Sequence, residues 1–280
     1  MTAARRGFAL AELLVALVVA GIIGVALTRL VINQARFVSR QDAGMRARGA
    51  ARAALNVLTT ELQMTSAGGL IAATPDSITV RVPYAFGLAC GKTGGVTTVS
   101  LFPADSATYF SAVPSGYAWQ DPLGNYQFEE GAAVIDNVSL TSCTGLVPPI
   151  VTLWAPGWPA RGVAVTQNLA TDTAAAVYLY QNVRYAFAPS VELPGRVALW
   201  RTVLSSSVRE ELVVPFDTAA GFMFLVGISY TVRATPPAQL DSVIGVQISL
   251  VGQSETPAQG GTQPTTFDLT TSIVFRNNAP

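Results

Sequence analysis

Glu12 is the only charged residue in the apolar stretch from Phe8 to Leu27. A carboxylate at the centre of a bilayer costs about 2.5–3.5 kcal/mol, so such a residue is expected to have a partner or a function. A nearby cation would offset this cost, and the chemistry to expect is an ion pair formed in apolar surroundings. The alternative is a glutamate close to the membrane surface whose carboxylate reaches the lipid headgroups.

The two cysteines of the chain, Cys90 and Cys143, lie 53 positions apart. This spacing does not fit a C-x-x-C redox motif or a zinc motif. In an exported protein the two thiols could form one disulfide, which would stabilise the fold by about 3–4 kcal/mol in the loop-entropy description. The alternative is a pair of reduced, buried thiols.

Histidine is absent from all 280 residues. Its absence excludes Ser-His-Asp and Cys-His catalysis, His-ligated zinc and imidazole acid–base chemistry. The acidic pairs Glu129-Glu130 and Glu210-Glu211 lie in strand-like segments, where adjacent side chains point to opposite faces. We therefore predict no enzyme activity, no catalytic residue, no metal site and no cofactor.

Overall charge and aromatic content indicate few ligand sites. Lys and Arg together number 17, as do Asp and Glu, and charged residues make up 12% of the chain, which argues against nucleic-acid binding over its length. Aromatic residues in strands usually form core or cross-strand pairs, but a ligand-binding surface is the alternative. The residues concerned are Tyr178, Tyr180, Tyr185 and Trp200.

The N-terminal apolar stretch predicts a membrane-spanning helix. No charged residue occurs from Leu13 to Thr28, and the 20 residues from Phe8 to Leu27 match the span of a bilayer. Arg5 and Arg6 precede this stretch, as expected for a cytoplasmic flank. Four arginines follow it, however, so the positive-inside rule taken alone opposes this orientation. They are Arg29, Arg36, Arg40 and Arg46.

The segment from Arg5 to Leu17, RRGFALAELLVAL, resembles the type IV prepilin signal. In that family a short basic leader ends in glycine, phenylalanine follows, the fifth mature residue is glutamate, and an apolar helix continues. The resemblance implies that a prepilin peptidase cleaves between Gly7 and Phe8 and that the new Phe8 amine is N-methylated. It also implies that Glu12 serves in assembly by pairing with the Phe8 amine of the same or a neighbouring subunit.

We predict an α+β fold of the pilin type, with a long N-terminal hydrophobic helix followed by an antiparallel β-sheet domain. The predicted parts are a leader (1–7), a membrane and filament-core helix (8–28), an amphipathic helical stem (29–68) and a β-rich globular domain (75–280). Apolar residues at Val38, Met45, Leu55, Leu58 and Leu62 indicate that the stem is an amphipathic helix. Gly68-Gly69 is expected to end the helix.

Alternating apolar residues after position 75 predict short strands. The predicted strands cover 78–82, 96–102, 134–140, 150–154, 176–180, 183–187, 197–203, 222–226, 244–250 and 267–275. Loops rich in Pro, Gly, Thr and Ser are expected at 147–159 and 253–266. Gly91-Lys92-Thr93 is interpreted as a turn beside Cys90, because the glycine required earlier in a phosphate-binding loop is replaced by Phe86.

The body of the protein resembles the larger PilW-like minor pilins and the J-type pseudopilins of type II secretion. The similar segments are the arginine-rich stem, the strand at 183–185, the segment 198–201 and the closing segment 273–278. This resemblance implies a minor subunit of a pilus or pseudopilus, with other pilins, the prepilin peptidase and the inner membrane as partners and the body in the periplasm or outside the cell. The alternatives are a major or DNA-uptake pilin, or a membrane-tethered adhesin or ligand-binding module.

Overall fold

The computed structural model describes residues 10–131, 134–136, 138, 161–166, 169 and 175–275. The described part of the chain begins with helix α1 (Leu10–Leu62), and a second, short helix, α2 (Pro103–Thr108), lies between strands. No proline interrupts the 53 residues of α1, and its alanine and leucine content favours helix throughout. The helix ends at Leu62, six residues before the stop predicted at Gly68-Gly69. Gly68, whose φ of +73° favours glycine, lies in the later turn that leads into the first strand.

Fourteen strands are present in the described part of the chain, and all pair antiparallel in one branched sheet. They are β1 (Leu70–Thr74), β2 (Ser77–Thr93), β3 (Val96–Leu101), β4 (Gly116–Gln120), β5 (Tyr126–Glu130), β6 (Val134–Asp136), β7 (Arg161–Val165), β8 (Ala176–Pro189), β9 (Val197–Val203), β10 (Val208–Phe216), β11 (Gly221–Val226), β12 (Thr231–Arg233), β13 (Val243–Gln253) and β14 (Thr266–Val274).

The main strand order is β12-β11-β13-β10-β9-β8-β2-β3-β7-β6. Strands β1, β4 and β14 branch from β2, β8 and β13, and β5 extends the sheet beyond β4. The predicted layout of an apolar N-terminal helix followed by an antiparallel sheet is therefore confirmed. The sheet begins at Leu70, five residues before the predicted start of the β-rich domain.

The hydrophobic core has two main parts, joined by the long strands β2 and β8. The first part lies between α1 and the sheet and contains Leu58, Leu62, Tyr185 and Phe222. The second lies farther along β2 and β8 and contains Tyr117 and residues of β3 and β7. Only the first part contacts the helix, so this part of the core fixes the direction of α1 relative to the body.

Several local predictions differ from the structure. The two strands predicted at 176–180 and 183–187 form the single strand β8, because Gln181 and Asn182 keep their extended backbone through pairing with β2. The segment Gly91–Thr93 ends β2, and the turn lies instead at Gly94-Gly95, where both φ angles are positive. The strand predicted at 150–154 and the loop at 147–159 lie outside the described residues.

The list of predicted strands leaves out several strands, of which β10 is an example. Its acidic pair Glu210-Glu211 was expected to lie in a strand-like segment, but charged residues obscure the apolar alternation, and the pairing of β10 with β9 shifts register twice. Pro215 lies near its end, where the ladder is already irregular. Strand β5 was likewise anticipated only at the acidic pair Glu129-Glu130, and strands β1, β4, β7 and β12 and helix α2 were not predicted.

Candidate functional site

The N-terminal half of α1 projects from the body without any cover. The most apolar stretch of this helix has a mean hydropathy of 2.5, and none of that stretch is buried. Leu17 and Ile22 are 68% and 65% exposed, and apolar side chains occur on every side of the helix. A helix that is apolar all round requires an apolar environment. This single helix is long and apolar enough to cross a membrane.

Polar groups in the projecting half are few and are arranged compatibly with lipid. The Thr28 hydroxyl donates a hydrogen bond of 2.8 Å to the Gly24 carbonyl within the helix, so it needs no external partner. Glu12 lies in the first turn of the helix and is exposed. A carboxylate in this position interacts favourably with the helix dipole. Gly7 and Phe8, the predicted processing residues, lie outside the described residues.

An alanine face attaches α1 to the sheet. The buried residues of α1 recur every three or four positions, as expected for one side of a helix. They are Ala43, Ala47, Ala50, Ala51, Ala54, Leu58 and Leu62. Gly252 of β13 faces this stripe, and a Cβ at Gly252 would lie 2.2 Å from the Ala47 carbonyl oxygen and 3.3 Å from the Ala51 Cβ. The helix and strand backbones are therefore in direct contact.

The apolar residues that indicated an amphipathic stem do not all lie on the contact face. Val38 and Met45 are 56% and 59% exposed and lie away from the buried alanines around the helix. Leu58 and Leu62 are buried, and Leu55 packs against the core. On the N-terminal side of Leu55, alanine side chains occupy the contact face, because only a small residue permits the close approach of the helix to β13.

A polar cluster fixes the C-terminal end of α1. The Tyr185 hydroxyl on β8 donates a hydrogen bond to Glu61, and the Arg201 Nε on β9 lies 3.2 Å from Glu61 Oε1. Burial and the Glu61 carboxylate both raise the pKa of Tyr185 above its usual value. Burial acts to lower the pKa of Arg201, but Glu61 and Tyr185 outweigh it and the pKa is raised. Arg201 therefore stays charged beside Glu61, and the cluster joins one helix to two strands.

The loop between β13 and β14 contacts the N-terminal part of the stem. The backbone N–H of Gln259 donates a 2.8 Å hydrogen bond to Ser39 Oγ, and Arg46 lies 4.0 Å from Glu255. A groove of about 460 Å³ separates this loop from the helix. Helix α1 therefore leaves the body on the N-terminal side of Ser39.

The structure resolves some of the other candidate sites. Tyr178, Tyr180, Tyr185 and Trp200 are buried, so the core prediction is confirmed and a ligand-binding surface made of these residues is wrong. Cys90 is buried on β2, but Cys143 lies outside the described residues. Their disulfide remains a prediction.

The two acidic pairs serve different contacts in the structure. Glu130 forms an ion pair of 2.7 Å with Arg81, and the Glu211 carboxylate accepts hydrogen bonds from the residues after β8. Among the described residues, no group of three or more His, Cys, Asp or Glu side chains is arranged to hold a metal ion.

Sequence patterns gave no indication of one large groove. It has a volume of about 1160 Å³ and lies between the β4–β5 and β11–β12 hairpins, next to Gly68 and therefore at the far end of α1 from Glu12. Leu123 and Ile228 at the hairpin tips are 87% and 85% exposed, and Tyr230 beside them has a positive φ of +53°. Exposed apolar residues in separate turns are not a recognisable motif, which is why the groove was missed.

No protein-family model, no curated protein and no solved structure matches this chain.

Proposed function

We propose that this chain is a minor pilin or pseudopilin. In this proposal it is a structural subunit, anchored in the inner membrane by α1, that starts or caps a type IV pilus or a type II secretion pseudopilus. The observation that carries the proposal is the uncovered apolar half of α1, held in a fixed direction by the alanine face and the Glu61 cluster. Lipid would surround this half before assembly, and helices of other subunits would surround it afterwards.

A second apolar stripe supports helix packing beyond the membrane. Val31, Val38 and Met45 repeat every seven residues and are each more than half exposed. Residues seven apart lie on nearly the same side of a helix. Val31 and Met45 lie on the side of the helix opposite the buried alanines, and Val38 also borders the groove beside the loop between β13 and β14. The stripe is exposed and is therefore available for contact with a neighbouring helix when subunits assemble.

In this proposal, Glu12 sets the axial register between the helices of neighbouring subunits. After cleavage at Gly7, the Phe8 amine would lie about one helical turn from Glu12. Its positive charge would offset the cost of the carboxylate in an apolar core. An ion pair between neighbouring subunits can form at only one axial offset, so it selects one packing of otherwise featureless apolar helices.

The test is Glu12→Ala in a host with a prepilin peptidase and the matching assembly system. Removing the carboxylate takes a costly group out of the bilayer, so the variant should be cleaved and retained in the membrane at least as well as wild type. Filament number, counted by electron microscopy, should fall while filament diameter stays the same. Asp42→Ala, which removes an exposed carboxylate from the stem of the same helix, is the control and should leave filament number unchanged.

Normal filament number with Glu12→Ala, and incorporation of the variant at the usual stoichiometry, would contradict the docking role of Glu12. Loss of the Glu12→Ala variant from the membrane fraction would contradict the expectation that removing this carboxylate leaves the membrane anchor intact.

The groove between the hairpin tips favours a second candidate function, a membrane-tethered adhesin or ligand-binding module. It combines exposed apolar side chains with Arg81, Gln127 and Asp241, near the end of α1 opposite its apolar half. A glycan array probed with the full chain in detergent tests this candidate. Binding that Tyr230→Ala abolishes would support it, and an array without any bound glycan would count against a lectin.

A further inference from the structure

Three arginines share one face of α1 just beyond its apolar segment. At about 100° per residue, Arg29, Arg36 and Arg40 lie within about 40° of one another around the helix, and all three are exposed. Buried Ala47 and Ala54 lie on the same side farther along the helix. The three arginines are therefore on the body side of α1, in the space between the body and the end of the apolar segment.

Contacts with the body agree with this placement. A Cβ at Gly260, in the loop between β13 and β14, would lie 3.3 Å from the Arg36 Nε, so this loop lies directly beside the arginine. The neighbouring loop residues Gln259 and Gly261 are uncharged. Glu255 of the same loop lies near Arg46 instead. In the described part of the chain, Arg29, Arg36 and Arg40 have no carboxylate partner.

The position along the helix matches the lipid headgroup region. Arg29 directly follows the uncharged stretch that ends at Thr28, and Arg36 and Arg40 lie about 10 Å and 17 Å farther along the axis. The headgroup layer of a bilayer is about 5–8 Å thick on each side. Helical side chains point toward the N-terminus, and a long arginine side chain extends several ångströms, so Arg29 and Arg36 reach back into this layer. Arg40 lies close enough to respond to the surface charge.

We propose that Arg29, Arg36 and Arg40 form a binding face for the phosphate groups of anionic lipids in the leaflet on the body side. The planar guanidinium group binds phosphate through paired hydrogen bonds, and clustered arginines next to a membrane helix attract anionic headgroups. This binding face explains why these three arginines follow the apolar segment on the body side, where the positive-inside rule does not expect them. It requires the membrane-spanning part of the proposed function but does not require filament assembly.

The test uses the full chain in phosphatidylcholine vesicles that contain spin-labelled phosphatidylglycerol or spin-labelled phosphatidylcholine. Electron paramagnetic resonance measures the fraction of each lipid that the protein restricts. We expect wild type to prefer the anionic lipid, with a preference that falls at high salt. The triple variant Arg29→Gln/Arg36→Gln/Arg40→Gln should lose this preference, by up to about fivefold for each arginine that reaches the surface.

The matched control is Arg46→Gln/Arg48→Gln/Arg52→Gln. It removes the same charge from the same helix, but from positions more than about 80° away around the axis and farther from the membrane. This control should keep the anionic-lipid preference. Equal loss in the two triple variants, or an unchanged preference in the first, would overturn the binding face.

Carbonate washing of the vesicles separates this proposal from the previous one. A chain that washes off does not span the bilayer, which would overturn both the membrane anchor and the lipid-binding face. A chain that stays in the vesicles without any anionic-lipid preference would overturn the lipid-binding face alone.

Discussion

The backbone of Ala47 lies directly against Gly252, so that any side chain at position 252 would meet the Ala47 carbonyl oxygen at 2.2 Å. Ala47 is in the C-terminal half of α1, and Gly252 is near the end of β13. The pair determines how closely the helix approaches the sheet. It therefore also determines the direction in which the apolar half of α1 leaves the body.

Gly252→Ala should force α1 away from β13, because the new Cβ meets backbone atoms that cannot rotate aside. Overpacking of this kind costs about 1–3 kcal/mol. The control is Gly49→Ala, which makes the same substitution at an exposed helix position with no atom within 4 Å of the new Cβ. It should stabilise the helix by up to about 1 kcal/mol. Thermal unfolding of the full chain in detergent, followed by circular dichroism, should show opposite shifts for the two variants.

Glu61→Gln should destabilise the junction between α1 and the sheet, because it leaves Arg201 partly buried without its carboxylate. Both side chains of the pair are about 20% exposed, and we expect a loss of about 2 kcal/mol. Arg46→Gln breaks an exposed pair with Glu255 and should cost less than about 0.5 kcal/mol. Denaturant unfolding of both variants measures the contrast. Equal effects would mean that the Glu61 cluster does not hold the helix in place.

Glu211 should make the stability of the body depend on pH. Burial acts to raise the pKa of its carboxyl, but hydrogen bonds from Ser190 and from the backbone of Val191 and Glu192 outweigh burial and lower the pKa. Because the folded-state pKa lies below the unfolded value, this stabilisation is present above the unfolded pKa and is lost as the pH falls through the folded pKa.

The corresponding test compares unfolding curves of Glu211→Gln and wild type at pH 7 and at pH 3. Glu211→Gln should be less stable than wild type at pH 7, and the difference should shrink at pH 3. Glu210→Gln is the matched control, because Glu210 is the exposed neighbour on the same strand, and its small effect should not vary in this way. A difference for Glu211→Gln that persists at pH 3 would rule out the carboxylate as its source.

Gly7 should be the last residue of a cleaved leader. Intact-mass measurement of the chain from a host with a prepilin peptidase should show loss of residues 1–7 and addition of one methyl group. Gly7→Val should leave the full-length precursor in the membrane, because the larger side chain blocks the peptidase. A wild-type chain that still carries Met1 would show that the resemblance to a prepilin signal does not extend to processing.

Cys90 and Cys143 should be joined in chain isolated from the cell envelope. Peptide mapping without reduction should recover the two cysteine peptides as one species that separates on reduction. Removal of the bond by Cys143→Ser should lower stability by about 3–4 kcal/mol in the loop-entropy description. Alkylation of both thiols in protein that is denatured without reduction would instead show that both are reduced, as in the alternative of two small buried thiols.

Local sequence patterns were sufficient to predict the elements with strong local signals. The apolar and alanine-rich segment without proline specified one long helix, and alternating apolar residues specified strands such as β9 and β13. Glu12 was identifiable because a lone carboxylate in an apolar run is conspicuous in any structural context. These features depend only on neighbouring residues, so a single sequence is sufficient to predict them.

The attachment of the helix to the sheet depends on contacts that form only in the folded chain. Alanine is a weak hydrophobic signal, so the contact face of the stem became visible only when Gly252 lay against Ala47. Glu61 and Arg201 are 140 positions apart, and no local pattern links them until pairing of β8 with β9 places Tyr185 and Arg201 opposite each other beneath the helix. Contacts of this kind depend on strand pairing and close packing across the whole chain, which local residue patterns do not specify.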